Sequence, residues 1–517
     1  MELESNSAGD DNGSTLEVPL LTSNERRRDD SDRSEFFVDG LPYKTSLLIK
    51  SLYFLDALGS STWGRFSAVY YNLHNLQSAQ IGCIEGIRTV IPTISQVAWG
   101  ITADKWQSRK SVWLLTKVCS TISLLALALP LIYQSFWRIL FASAVAQLFV
   151  SDGLLDAYTL DLLGQENKLY YGRYRLYASL SWGVGSMVIG WITDRYGFEP
   201  NFILFALLSG LMVFLVAWYI PETGTNTATV NQEEDDQAGQ ETVGGQESVC
   251  EDDEERVHIE EDPVAEEGTL MELVAIIVRP QTLLFLLEVI IMGAAMATVE
   301  RLLFLYLIND LQASTFICGL SVFVNVLFEL PIFLYASQFM ALLGHDGLMI
   351  VAMACFSFRV WGYTLLTPST KLWILPLEVL HGITFACYWT VATDIAKILV
   401  HQTTATQRND VNSNEIRNNR KSGYWSTVIP TSVNMLYSAV GSSLGSVLGG
   451  WAMHKYGSRR MYTIMASIVF GALVLHILGT FASRVWFGSS FLPSDNGNGD
   501  GDESCDDVED DEDAETE

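Results

Sequence analysis

The stretch GSMVIGWITDRYG, residues 185–197, returns 260 positions later as GSVLGGWAMHKYG, residues 445–457. Gly185, Gly190, Trp191, Tyr196 and Gly197 are all matched, and Lys455 stands where the first copy has Arg195. A weaker echo sets NLQSAQIG, from residue 75, against DLQASTFICG, from residue 310. Both echoes keep the same order along the chain, so a parallel duplication explains them better than chance similarity between glycine-rich helices. Two halves related in this way face each other across a central cavity. The close glycines of GVGSMVIG and GSSLGSVLGG would let those helices approach their neighbours closely.

The runs around these glycines are long enough to cross a membrane. Twelve apolar runs fall at roughly 46–72, 81–103, 111–133, 137–163, 172–194, 200–220, 282–308, 316–340, 348–367, 373–399, 425–453 and 461–485. As helices rising about 1.5 Å per residue, such runs cover a hydrocarbon layer of about 30 Å. Lipid leaves backbone groups no outside partner, and the runs lack the alternation of barrel strands, so the predicted class is all-α. The expected fold is twelve transmembrane helices in two six-helix bundles, 45–222 and 281–486.

The mean hydropathy of only +0.22 is diluted by charge outside the runs. Residues 233–267 hold sixteen acids and one arginine, and residues 495–517 hold thirteen acids and no base, which accounts for nearly all of the net −29. Segments so charged cannot bury enough apolar surface to fold. Residues 1–44, 223–280 and 487–517 are therefore expected to be disordered, the acidic parts open to a cytosolic partner. The seven cysteines have an odd count and no CxxC spacing, so neither a disulfide framework nor zinc is expected. No signal-peptide core precedes the first run, which is expected to act as its own insertion signal.

Orientation follows from lysine and arginine in the short loops. Loops after runs 2, 4 and 10 carry Lys105, Arg109 and Lys110; Lys168, Arg173 and Arg175; and Lys397, Arg408, Arg417, Arg420 and Lys421. The opposite loops carry Arg138, Arg195, Lys371, Lys455, Arg459 and Arg460. This excess predicts that both termini and the acidic linker lie in the cytosol.

Ionisable residues inside the runs are costly in lipid and mark function by default. They are Lys50, Asp56, Arg65, Glu85, Arg88, Asp152, Asp156, Asp161, Glu288, Glu300, Arg301, Glu329, Arg359, Glu378, His381, Asp394 and Lys397. Asp152 and Asp156 share one helix face at i,i+4, while Glu85 with Arg88 and Glu378 with His381 are i,i+3 pairs. Glu378 with His381 is the titrating pair a proton-coupled carrier would need. Plainer readings stand beside these: an ion pair for Glu85 and Arg88, a Glu329–Arg359 bridge, and snorkelling for Lys50, Glu288 and Lys397.

GITADKWQSRK, residues 100–110, resembles the signature G-x-x-x-D-(R/K)-x-G-x-(R/K)-(R/K) of the major facilitator superfamily. The match lies at Gly100, Asp104, Lys105, Arg109 and Lys110, with Gln107 in place of the glycine. The resemblance implies that these five belong to a conformational gate. YGRYRLYASLSWG, residues 171–183, resembles the lactose permease type of sugar and proton symporter and the related nucleoside permeases. That resemblance implies that Arg175 grips solute hydroxyls, that Trp182 stacks on a ring, and that Asp156, or alternatively Asp152, supplies a carboxylate; Asp56, an ionisable residue inside the first run, is a further candidate for solute binding. It further implies that Glu329, Arg359, Glu378 and His381 serve proton coupling, although Glu378 precedes His381 here where the permease pattern has the histidine first.

The expected function is a secondary-active, proton-coupled transporter of a small polar solute, a sugar or a nucleoside, working as a monomer by alternating access. A non-transporting receptor or scaffold on the same fold is the alternative. No nucleophile and base motif, phosphate loop or metal spacing points to an enzyme, and neither cofactor nor nucleic acid is implied.

Overall fold

The computed structural model describes residues 37–150, 153–164, 166–220, 278–410, 428–487 and 492. Asp152 and the acidic linker lie outside the described residues, as does the acidic stretch from residue 495.

Residues 37–42, placed on sequence in the N-terminal tail, form a hairpin of β1 (Phe37–Val38) and β2 (Leu41–Pro42). Asp39 and Gly40 turn it with φ of 53° and 80°. A two-residue hairpin loop requires such a pair of positive angles, which Asp-Gly adopts readily.

Helix α1 (Tyr43–Ser61) follows at once, then an irregular turn, then α2 (Ser67–Leu73). The first predicted run is therefore broken, with Gly64 at the break; the Trp182 indole fills the space a side chain there would need. Helix α3 (Ser78–Trp106) starts in a capping box of Gln77 and Gln80. The Ser108 hydroxyl caps α4 (Arg109–Ala126) by accepting from the Ser111 N–H. Next come α5 (Phe136–Leu148), α6 (Gly153–Leu163), α7 (Tyr171–Tyr196) and α8 (Glu199–Tyr219).

The second half comprises α9 (Pro280–Asn309), α10 (Thr315–Leu334), α11 (Ala336–Thr364, broken at Gly344 where φ is 66°) and α12 (Ile374–Asp410). A helical stretch at 428–435 then runs through a π-turn (Leu436–Ser442) into α13 (Ser443–Tyr456), and α14 (Ser458–Phe487) follows. Among the described residues, seven helical stretches are long and apolar enough to cross a membrane. Others carry charge within them, as α3 does with Glu85, Arg88, Asp104 and Lys105.

Two cores organise the packing. The larger continues from Trp63, Phe66 and Tyr71 of the first half to Phe304, Tyr306 and Tyr363 of the second, and Phe66 meets Phe304 with ring centroids 5.1 Å apart. The smaller, including Leu52, Trp113, Leu154, Tyr174 and Met212, belongs to the first half alone. The halves are thus welded toward the end that carries Leu73, Tyr196 and Asn309, the sealed end.

Helix crossings there are backbone to backbone. A Cβ on Gly319 of α10 would collide with the Ser186 carbonyl of α7, and one on Gly190 of α7 with the Thr315 carbonyl. Where α3 crosses α13, Gly82 faces the Ser446 carbonyl and Gly450 the Ser78 carbonyl in the same way. In lipid, where burying apolar surface drives nothing, such close approach and its van der Waals contacts hold helices together.

Candidate functional site

Polar bonds between the halves begin at the sealed end. The Asp194 carboxylate of α7 accepts from the backbone N–H groups of Thr315 and Phe316, each at 2.8 Å, so the first half caps a helix of the second. Asn72 and Asn309 exchange amide hydrogen bonds of 3.0 and 3.1 Å.

Deeper between the halves lies a charged layer. The fully buried Glu85 accepts from Ser67 at 2.7 Å, from Arg88 at 2.7 and 2.9 Å, and from Arg301 of the second half at 3.4 Å. Beside it, Glu300 stands 3.6 Å from both Arg65 and His381, and Arg65 lies 3.5 Å from the His381 Nε2. That nitrogen can accept from Arg65 when the neutral imidazole carries its proton on Nδ1, and can donate toward Glu300 when Nε2 carries a proton. His381 Nε2 therefore stands between one charge of each half. Nη1 of Arg65, Nε of Arg301 and Nδ1 of His381 are buried without a hydrogen-bond partner among the described residues.

Residues 47–411 match the MFS_1 like family. The chain belongs to that family. It is a transporter family rather than an enzyme class. The fold is shared with the nucleoside transporter NupG at a TM-score of 0.60 and 15% identity, over 84% of this chain and 98% of that one. A point mutant of NupG aligns at 0.62 and 14% identity, over 84% and 99%. A POT family transporter in complex with 5-aminolevulinic acid aligns at 0.57 and 12%, over 84% and 96%.

Within this MFS_1 like chain the residues singled out on sequence part company. Arg175 reaches Asp156 at 3.9 Å, and the Tyr53 hydroxyl donates to Asp156 at 2.7 Å. Trp182 does not join them: its indole lies two turns away against Gly64, because the break in the first run leaves a slot there. Asp56 is held by Lys117 of α4, which the sequence reading overlooked although it is a lone charge in an apolar run.

Glu378 and His381 also diverge. Glu378 accepts from the Tyr363 hydroxyl and faces Arg359 at 4.0 Å, all three fully buried. Arg359 thus pairs with Glu378 rather than Glu329, while His381 turns to the inter-half layer. A second buried set, Glu288 with His476 at 2.9 Å and Asp346 beyond it at 3.8 Å, went unread for the histidine and the aspartate.

The gate motif forms an exposed corner. Arg109 bridges Asp104 at 3.7 Å and contacts Asp161, and Lys110 donates to the Ala217 carbonyl at 3.1 Å. Lys105 is exposed and Gly100 has open space at its Cα.

Proposed function

We propose that this chain is a proton-coupled secondary carrier moving a small polar solute by alternating access. The observation that carries this reading is the layer of Arg65, Glu85, Glu300, Arg301 and His381, directly beneath a seal between two halves. Buried charges are costly and need a reason; here they join surfaces that must separate when the opposite end closes. Proton transfer on His381 or Glu300 would alter those bonds and so bias the two conformations.

Twelve spans in two pseudo-repeated halves fit this reading. Of the runs that fall short, the first is broken by a turn, the second carries charges of the layer, and the eleventh is rich in glycine and serine. The matched glycines support the repeat, since Gly190 and Gly450 both seat a helix of one half against the other, and Gly197 and Gly457 both end their helices with φ near 82° and 83°. The lysine and arginine bias sets both termini in the cytosol, the sealed end outward and the opposite end inward. A ring-bearing solute such as a nucleoside or sugar agrees with NupG as a nucleoside transporter of the same fold. Asp156 and Arg175 would meet it on the inward side, and Glu329 with His381 would carry protons, while Arg359 and Glu378 hold each other in place.

Proteoliposomes with labelled nucleosides and sugars, with and without an inside-alkaline pH gradient, test the proposal. Uptake should rise with the gradient, fall to background in Glu300→Gln and Arg65→Gln, and survive deletion of residues 233–267. No uptake across a broad panel, with activity lost on deleting the acidic linker, would favour the scaffold reading.

A further inference from the structure

The groups facing one another in the inter-half layer are three guanidiniums, Arg65, Arg88 and Arg301, and three carboxylates, Glu85, Glu300 and Glu329, with the imidazole of His381. Two of the carboxylates are taken: Glu85 by Ser67, Arg88 and Arg301, and Glu300 by Arg65 and His381. Glu329 differs. It is half-buried on α10 and within electrostatic range of Glu300 and Arg65, yet it has no hydrogen bond or ion pair among the described residues. Of the charged groups on the elements packed around it, Glu300 of α9 and Arg65 of the α1–α2 turn act on it electrostatically, and α12 brings His381, whose neighbour Gly382 lies against the Glu329 backbone. The facing stretch of α7, residues 177–185, has no charged side chain, and Arg359 and Glu378 cancel each other within the second half.

Guanidiniums do not lose their protons in proteins. With His381 neutral, the layer is therefore neutral only while Glu329 is ionised, and once Glu329 takes up a proton it holds one positive charge too many in a medium that penalises unpaired charge. Donors for a replacement anion already stand without acceptors among the described residues, Nη1 of Arg65 and Nε of Arg301. Arg301 keeps 24% of its side chain exposed, so a solute would approach its guanidinium from that open edge.

We infer that the transported solute is a monoanion, a small carboxylate-bearing molecule that takes the place of Glu329 as the third counter-charge when Glu329 is protonated. The step balances: one proton adds to the Glu329 carboxylate, one negative charge arrives on the solute, and the site's net charge is unchanged. Proton and anion would cross together with no net charge moved. This inference rests on the carrier reading above and narrows its substrate.

Matched pairs test it: glucose against glucuronate, and uracil against its 6-carboxylate, with the purified full-length protein and with proteoliposomes. The anionic member should bind at least about tenfold more tightly, as for one added charge-assisted pair. Its binding should be tighter at about pH 5.5 than at about pH 8, and its uptake should ignore an imposed membrane potential. Glu329→Gln, which imitates the protonated side chain, should bind the anion equally well at both pH values. Equal or better binding of the neutral member, unchanged pH dependence in Glu329→Gln, or potential-driven uptake would each overturn the inference. Proton-driven uptake of glucose or uracil without response to the carboxylates overturns it and leaves the carrier reading standing; no binding or uptake of any member counts against both.

Discussion

Gln107 occupies the left-handed region, with φ of 48°, at the end of α3. It stands where the superfamily signature has glycine, and the backbone shows why: the chain must turn here with a positive φ, which costs a side-chain-bearing residue about 1 kcal/mol or more. Gln107→Gly should raise stability by about 1 kcal/mol, read as a higher unfolding temperature in detergent. Asp39 gives a second prediction at this scale. The Lys50 ammonium and the Arg173 guanidinium, the latter at 2.7 Å, hold its carboxyl below the usual carboxylate range. A carboxyl with a depressed folded value stabilises above its unfolded pKa of about 3.9 and loses that contribution as pH falls through the folded value. Unfolding measured from about pH 6 downward should steepen below about pH 4 in the native chain, and Asp39→Asn should flatten that limb. Spacing by itself could place Glu378 and His381 on one helix face, yet not say that Tyr363 and Arg359 would claim one and Arg65 and Glu300 the other.

At the scale of elements, the glycine-rich segments were legible as close-packing faces. Their partners were not, since a small residue records only that something comes near. The α7–α10 crossing depends on Gly190 and Gly319 lying against opposing carbonyls. Gly319→Leu should cost about 1–3 kcal/mol of sealed-state stability as the overpacked crossing opens. The check is a cysteine placed at Asn72, which should react faster with a membrane-impermeant thiol reagent in the Gly319→Leu background. The break between α1 and α2 was invisible in the hydropathy because both pieces are apolar. The Asp-Gly turn of the hairpin, by contrast, is a readable signal in FFVDGLPY, although it borders a charged tail.

For the whole molecule, one core spans both halves and a second belongs to the first half alone, so the structure is closed at one end. Linking Asn72→Cys to Asn309→Cys with a short bifunctional reagent should lock that end and abolish uptake, and a reducible linker should restore it on cleavage. Uptake indifferent to the link would mean that the sealed end does not open during turnover. What the sequence determined by itself was the helical class and the transporter family, because run length, backbone satisfaction in lipid and a short signature motif are local properties. Only the tertiary structure decided which charges meet. Ion pairing depends on geometry between segments far apart in the chain, and so Arg65, Glu300 and His381, drawn from three different helical regions, converge in one layer while Arg175 and Trp182, seven residues apart, do not.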